Sequence, residues 1–357
     1  MKAQLNTFDM KRVPLWENVP LDTPFQLCIE PTFVCNFRCN YCMHALDRQT
    51  LESRGFHFAP MSQDTFEAIL AQIKEFPRNI KKVCFTGFGE PTIDQRLPEM
   101  VQKVMETGKV DKTLIISNGS LLTPELSDKL IASGLSELKI SLQGMSSDKY
   151  QKVCGVKLNF QEYLENIRYF SEHRQNCILR LKIADVALEA GEEELFYNTF
   201  GDICDFIAIE HIYPQFRGVN KGMLPNGGKN RFGFPYTHKK VCSTLFFKLN
   251  VLQSGIITFG FPDGITYDGF NVNNMTLLEA WNSPERKRLL YDNLTGDMSS
   301  HKYCESCMRW SNSVTPNDDL DGHEADILQL LDLSQYNIPR ELLKGETILC
   351  YDGANEI

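Results

Sequence analysis

No stretch of this 357-residue chain approaches the ~20 consecutive apolar residues needed to cross a bilayer, which excludes a membrane-spanning helix. The opening MKAQLNTFDMKRVPLWENVP also lacks the uninterrupted apolar core of a secretory signal, so the expected compartment is the cytoplasm. Basic charge is in short supply: 37 basic against 46 acidic residues leave a net charge of −9, and a general nucleic-acid binder needs a basic face. Internal repeats and low-complexity tracts are missing. Twelve cysteines scattered irregularly over so long a chain do not make a disulfide framework, and a reducing compartment suits thiols kept for metal. The length is enough for one large domain and a small one.

What the chain does have is three cysteines set close together. Cys35, Cys39 and Cys42 stand in PTFVCNFRCNYCMH, spaced C-x3-C-x2-C, just after an apolar run that reads as a strand. Three thiolates hold three corners of a four-iron cubane whose usual complement is four, and the remaining iron is then open to a small molecule. The same stretch permits another reading, in which nearby His44 completes a tetrahedral zinc site with the three cysteines. A second segment bears on the choice. KKVCFTGFGEPT, residues 81–92, reads as an apolar strand running into the glycine turn Gly87-Phe88-Gly89-Glu90-Pro91.

The cysteine spacing, Tyr41 just before the last cysteine, and a glycine turn at this distance together resemble the radical S-adenosylmethionine (radical SAM) superfamily. The resemblance implies a [4Fe-4S] cluster on Cys35, Cys39 and Cys42, its open iron chelated by the amino and carboxylate groups of S-adenosylmethionine (SAM). In that family a Gly-Gly-Glu-Pro stretch lines the methionyl amino group. Gly87, Gly89 and Glu90 are implicated here, with Phe88 between the glycines, and Tyr41 joins the implied cofactor contacts. An electron donor such as flavodoxin or ferredoxin is implied as well.

Short apolar strands alternate with helical segments over residues 24–213. The expected strands are Phe25–Glu30, Lys82–Thr86, Thr113–Ser117, Glu137–Leu142, Ile178–Ala184 and Phe206–Ile212. Ser62 is placed to cap one amphipathic helix, and Thr123 with Pro124 to open another that Gly134 closes. This order gives an α/β fold with a parallel sheet and helical crossovers. Six strands fall short of a complete barrel's eight, so the family-consistent expectation is a partial (β/α)6 TIM-like barrel with its site at the carboxyl ends of the strands.

Ser117 and Asn118 end the third strand, Ser141 and Gln143 the fourth. The resemblance places ribose and carboxylate contacts of SAM at these ends, while ordinary turn chemistry accounts for the same residue types. Relatives often carry Ser-x-Asp-Gly at the fourth strand end and an arginine further on, where this chain has Gln143 and Cys154. Arg180 or Lys182 on the next strand is then the expected partner of the SAM carboxylate.

Residues 214–241 break the rhythm. Rich in Gly, Pro and Asn, the stretch carries Arg217, Lys221, Lys229, Arg231, Lys239 and Lys240 and no Asp or Glu. Basic residues in a loop are ordinarily just solvated, yet loops this long inside compact proteins are commonly functional. This one leaves the last barrel strand near the mouth, so Arg217 and Arg231 are candidate contacts for an anionic substrate group, arginine being suited to phosphate.

Residues 242–322 resemble the twitch or SPASM extension that carries auxiliary clusters in many radical SAM enzymes. Cys242 precedes a hairpin-like LFFKLNVLQSGIITFGFPD, a helix is expected across TLLEAWNSPERKRLLYDNL, and Cys304-Glu305-Ser306-Cys307 follows. Counting from the hairpin glycine Gly255, Gly260 stands where that pattern has a cysteine, and Ser313 and Asn317 stand where it continues with others, so a two-cluster set is excluded. One auxiliary iron–sulfur site with Cys242, Cys304 and Cys307 remains, its fourth ligand drawn from Asp263, Cys350, water or substrate. Zinc or a structural role is the other reading of a C-x2-C pair. His301 and His323 show no ligand spacing. Asn317, Asp319 and Asp321 imitate the start of an EF-hand loop, but Leu328 stands where its bidentate acid is required. Residues 1–23 read as an N-terminal arm and 323–357 as a helical tail.

The resemblance implies an oxidoreductase or isomerase-type enzyme that reductively cleaves SAM to methionine and a 5′-deoxyadenosyl radical, which takes hydrogen from an unactivated C–H bond. The basic loop points to a phosphorylated or nucleotide-linked sugar or polyol undergoing dehydrogenation, epimerisation or dehydration. A maturase acting on a ribosomally made peptide is the principal alternative, and a zinc-stabilised binding module a third.

Overall fold

The computed structural model describes residues 1–6, 12–213, 215–216, 219, 228–262, 264–299, 301–305, 307–339 and 346–348. Arg217, Lys221, Asp263 and Cys350, singled out from the sequence, lie outside the described residues. Six parallel strands form the body of the sheet: β1 (Gln26–Ile29), β2 (Lys82–Phe85), β3 (Thr113–Ser117), β4 (Glu137–Leu142), β5 (Ile178–Ala184) and β6 (Phe206–Glu210). They lie side by side in chain order, each paired in parallel with the next, and every crossover between them carries helix. The result is the expected partial barrel, with β3, β4 and β5 on their predicted bounds and β6 stopping two residues early.

Helix starts follow their capping chemistry. The Ser62 hydroxyl accepts the Thr65 N–H (3.1 Å) to open Gln63–Ile73, and Thr123 accepts the Leu126 N–H (3.2 Å) at the head of Pro124–Ala132. Phe66, Ile69 and Ile73 face inward and join Leu27, Ile29, Val83 and Phe85 on the outer face of the sheet in one core. Each such buried side chain contributes about 1.5–3 kcal/mol.

The inner face of the sheet is different. Cys28, Cys84 and Leu114 form a small apolar cluster on one side. Across β4, β5 and β6 the inward positions are Glu137, Lys139, Ser141, Arg180, Lys182 and Glu210, set side by side by strand register. Lys139, Ser141, Lys182 and Ala208 are only half-buried, so this part of the barrel interior reaches solvent.

On the other edge, β7 (Lys248–Val251) pairs with β1 in parallel, and β8 (Ile257–Phe259), β9 (Ile265–Tyr267) and β10 (Glu346–Ile348) follow antiparallel to complete a ten-stranded sheet. The hairpin after Cys242 therefore continues the barrel's own sheet. Two expectations need correcting. The helix expected over residues 276–294 is two, Leu277–Trp281 and Pro284–Thr295, because Pro284 has no N–H for a continuous helix and Ser283 caps the second (Arg286 N–H to Ser283 Oγ, 3.1 Å). The tail is not all helical: after Glu324–Leu330 and Leu333–Tyr336 it supplies β10, which covers the open edge of β9. No described helix is long and apolar enough to cross a membrane.

Candidate active site

Leaving β1, the chain crosses the carboxyl ends of the strands and reaches the three cysteines. Backbone bonds fix this loop: Glu90 N–H to Val34 O, Arg38 N–H to Cys154 O, Asn40 N–H to Val153 O and Cys42 N–H to Cys39 O, each 2.9 Å. None of these bonds uses a cysteine side chain. Cys35 lies within electrostatic reach of Cys39, Cys42 and Glu90, and none of the three thiols is in a disulfide. Burial pushes the Cys42 thiol up to about 12 and raises Cys35 as well, while Cys39 is raised first by its bond to the Cys154 thiol and then by burial. Such thiols are poor free acids, and ligation to a metal is what makes them thiolates.

His44 does not complete a zinc tetrahedron. Its Nε2 lies 3.0 Å from the Phe88 carbonyl and its buried ring packs obliquely on Phe33. Among the described residues, no three of His, Cys, Asp and Glu close on a single ion. Three thiols on one loop, sheltered yet not converging on one point, fit a cubane that spreads its ligands over separate corners.

The glycine turn backs onto the exit of β1. A Cβ on Gly87 would run into the Glu30 carboxyl group, and one on Gly89 into the Thr32 carbonyl. This close approach carries Glu90 inward, where its carboxylate accepts from the Thr92 hydroxyl (2.6 Å) and N–H (3.1 Å), the Ser117 hydroxyl (2.7 Å) and the Asn118 N–H (2.7 Å). Asn118 Nδ2 in turn donates to Asn36 Oδ1 (2.8 Å) in the cysteine loop. Glu90, Ser117 and Asn118 thus come together as one another's hydrogen-bond partners. Burial raises Glu90 toward the neutral acid and these donors oppose it.

Replacing Glu90 with Ala strips the acceptor from four donors, and the expected loss is about 3 kcal/mol of stability, read as a lower melting temperature. SAM affinity should fall tenfold or more, about 1.4 kcal/mol, with iron content unchanged. Glu90→Gln, which keeps an acceptor oxygen, should lose less of both. Unaltered SAM binding in the Ala variant would reduce Glu90 to a strut between β2 and β3.

At the end of β4 the Tyr41 hydroxyl donates to Gln143 Oε1, Gln143 Nε2 to the Ser141 carbonyl (3.3 Å), and Gln143 N–H to the Tyr150 hydroxyl (3.2 Å). Tyr41, Ser141 and Gln143 are therefore one connected patch beside the cysteine loop. Arg180 does not belong to it, which corrects the expectation of a SAM carboxylate contact there. It sits near the amino end of β5, bonded to Glu137 (3.2 Å) and stacked over Phe206 (3.9 Å), because Glu137 is itself buried and needs its charge. Lys182, one inward position further along, lies beside Ser141.

Lys182 and Arg231 both reach Glu210 at 2.6 Å. Burial alone would raise Glu210, but the charges of Arg231, Lys182 and Lys139 hold it well below the usual carboxylate range. Lys139 is pushed down to about 7 by burial, against the pull of Glu210. Arg231 is thus held at the end of β6 by an acid, and Lys239 is tied to Asp319 (2.6 Å). Asp321 accepts the Lys240 and Val241 amides, so the EF-hand-like acids serve the chain.

Cys242, Cys304 and Cys307 line one cavity with Gly260, Phe261, Tyr303 and Trp310. Burial pushes the Cys242 thiol up to about 12. Arg309 stands between the two cysteine groups: its charge reaches Cys42, and its guanidinium lies over Phe216 (4.7 Å) and Phe261 (5.3 Å).

Arg309, Glu30, Lys139 and Glu210 were not singled out from the sequence. Lys139 and Glu210 had a signal. Parallel strands buried on both faces read as unbroken apolar runs, whereas ELKISL, ILRLKIA and FIAIE alternate charge with apolar residues. Arg309 has only its place two residues beyond Cys307.

The profile of the Radical SAM superfamily matches residues 29–183. The GTP 3′,8-cyclase of Aliarcobacter butzleri is 30% identical over 173 residues, 47% of this chain and 48% of its own. That of Aquifex aeolicus is 30% identical over 143 residues, 40% of this chain and 42% of its own. Molybdenum cofactor biosynthesis protein 1 of Drosophila melanogaster is 30% identical over 162 residues, 43% of this chain and 27% of its own. The chain thus spans about half the length, or less, of these curated relatives. Among solved structures, BtrN in complex with AdoMet and 2-DOIA superposes with a TM-score of 0.51 at 14% identity, covering 79% of this chain and 92% of its own. Native anSMEcpe with bound AdoMet gives 0.55 at 14% identity, covering 80% and 87%.

Residues 29–183 are a radical SAM domain, and the α/β architecture around them is the one its solved neighbours share. The cofactors of this family are a [4Fe-4S] cluster and SAM, and the three-thiol loop fits the first of them.

Proposed function

We propose that this chain is a radical SAM enzyme acting on an anionic small molecule, a phosphorylated or nucleotide-linked sugar or polyol. When bound, cluster and SAM supply one-electron cleavage to methionine and a carbon radical that abstracts hydrogen. Cys35, Cys39 and Cys42 are the ligands in this reading. Glu90, Ser117, Asn118, Ser141, Tyr41 and Gln143, with Gly87 and Gly89, shape the SAM seat. A flavodoxin or ferredoxin is the donor, and residues 242–322 are the auxiliary-cluster extension.

The observation that carries the substrate class is the charged group on the wet inner face of the barrel. Lys139, Lys182 and Arg231 surround the single carboxylate of Glu210, and Lys182 adjoins Ser141 at the proposed SAM seat. Cations in excess of acid on this inner face suit a phosphate or diphosphate. The relatives named GTP 3′,8-cyclase support the same class, since GTP is a phosphorylated ribose derivative.

The test is an anaerobic reaction with SAM, a reductant and a panel of deuterated nucleoside triphosphates, nucleotide sugars, sugar phosphates and peptides. Deuterium should enter 5′-deoxyadenosine from a phosphorylated compound. Transfer from a peptide alone would replace this reading with a peptide maturase. With the true substrate, Lys182→Gln or Arg231→Gln should raise KM tenfold or more while kcat changes little, as loss of a charge-assisted bond of ~1.5–3 kcal/mol requires. Arg217→Ala is expected to act in the same direction. Normal KM values in all three would leave Lys182 and Arg231 as structural partners of Glu210 and remove the case for an anionic substrate here.

A further inference from the structure

The helix Ser147–Cys154 ends against the cysteine loop. Its carbonyls at Val153 and Cys154 accept the amides of Asn40 and Arg38, the residues on either side of Cys39, at 2.9 Å each. Gly155 then turns the chain away in the left-handed conformation, φ 69°, which a side chain would strain. Clamped in this way, the Cys39 and Cys154 Sγ atoms meet at 3.6 Å, both residues buried and neither in a disulfide. Backbone bonds on both sides hold the two residues next to each other, and their side-chain rotamers bring the sulfurs into contact.

As a pair of thiols, Cys39 donates to Cys154. An iron-bound sulfur carries no hydrogen, so with Cys39 as a cluster ligand only the reverse bond exists, from the Cys154 S–H to the Cys39 sulfur. Reduction of a cluster adds negative charge that its sulfurs share. A donor aimed at one of them stabilises the reduced form more than the oxidised form, and hydrogen bonds to sulfur are among the levers that set cluster potentials. Burial at this point keeps water from weakening the effect.

We propose that Cys154 is a positioning residue for the SAM-binding cluster, donating an S–H···S hydrogen bond to the iron-bound sulfur of Cys39 and making the cluster easier to reduce. This rests on Cys35, Cys39 and Cys42 being the ligands, and that assignment is checked separately by the iron content of Cys39→Ala. The experiment is a redox titration of the reconstituted full chain followed by electron paramagnetic resonance. At a fixed solution potential the ratio of reduced to oxidised cluster should fall about tenfold in Cys154→Ala, a shift of about 59 mV to more negative potential for one electron. Cys154→Ser, whose hydroxyl still donates, should stay close to wild type, and iron per chain should be equal in all three. Should Cys154→Ala fail to hold iron, Cys154→Val, which fills the volume without a donor, takes its place in the comparison. A wild-type potential in the apolar variant overturns the proposal. So does an equal shift in the apolar variant and Cys154→Ser, since that would be packing alone.

Discussion

Changing any one of Cys35, Cys39 and Cys42 to Ala will abolish formation of 5′-deoxyadenosine from SAM in anaerobically reconstituted, reduced protein. Two thiolates leave two irons of the cubane without protein ligands, and the single open corner on which SAM chelation depends is lost. The loop itself should survive. Its bonds to Val34, Val153, Cys154 and within the Cys39–Cys42 turn are main chain, and the thiols add only the Phe37 N–H to Cys35 Sγ bond (3.4 Å) and the Cys39–Cys154 contact (3.6 Å), so the variants should keep the circular dichroism of cluster-free wild type and melt close to it. That separation makes the outcome informative: a folded variant without iron and without cleavage assigns the ligands. Stoichiometric zinc in the wild-type protein, with no iron and no cleavage, would end the radical SAM reading of this loop. Undiminished cleavage in a variant would move the site elsewhere.

How much of this was legible in the sequence follows from how local each signal is. Strand and helix order depended on apolar periodicity and on caps such as Ser62 and Thr123, which act over a few residues, and they were placed correctly. Cys35, Cys39 and Cys42 are close in sequence, so their spacing carried their geometry. Arg180 was misjudged for the opposite reason. Two inward positions on β5 differ by a few ångströms of height, and which one meets Glu137 and which meets Glu210 is decided by register with β4 and β6. The break at Pro284 was readable from Ser283-Pro284 alone and was overlooked because the apolar pattern on either side continues in phase. Pairing of β10 with β9 was not readable, since it joins residues 265–267 to 346–348 through backbone bonds that leave little mark on residue type. Phe88, the residue that interrupts the glycine pair, turns out to be buried beside Phe33, Phe56 and Phe216, so the interruption packs into an aromatic cluster beneath the cysteine loop.

A protein in which Cys35, Cys39 and Cys42 are all changed to Ala is expected to retain about four irons after reconstitution, the complement of one cubane cluster. The reason is the cavity shared by Cys242, Cys304 and Cys307, residues brought together from before the hairpin and from the Cys304-x2-Cys307 turn. Gly260, which stands where the twitch and SPASM patterns that the sequence resembles carry a cysteine, lies in the wall of that same cavity, and a Cβ there would come within 3.3 Å of Leu245. Three thiols with a glycine in the fourth corner leave one iron to oxygen or nitrogen ligands, which makes such a cluster either labile or a direct contact for substrate. Further change of Cys304 to Ala should then remove the remaining iron, with the fold kept by the bond from Cys242 N–H to Asn293 and by the Asp292–His301 pair, neither of which uses a thiol. A folded triple variant that holds no iron would make these cysteines structural or zinc ligands. The case for an oxidative outcome that uses an acceptor in this region would fall with them.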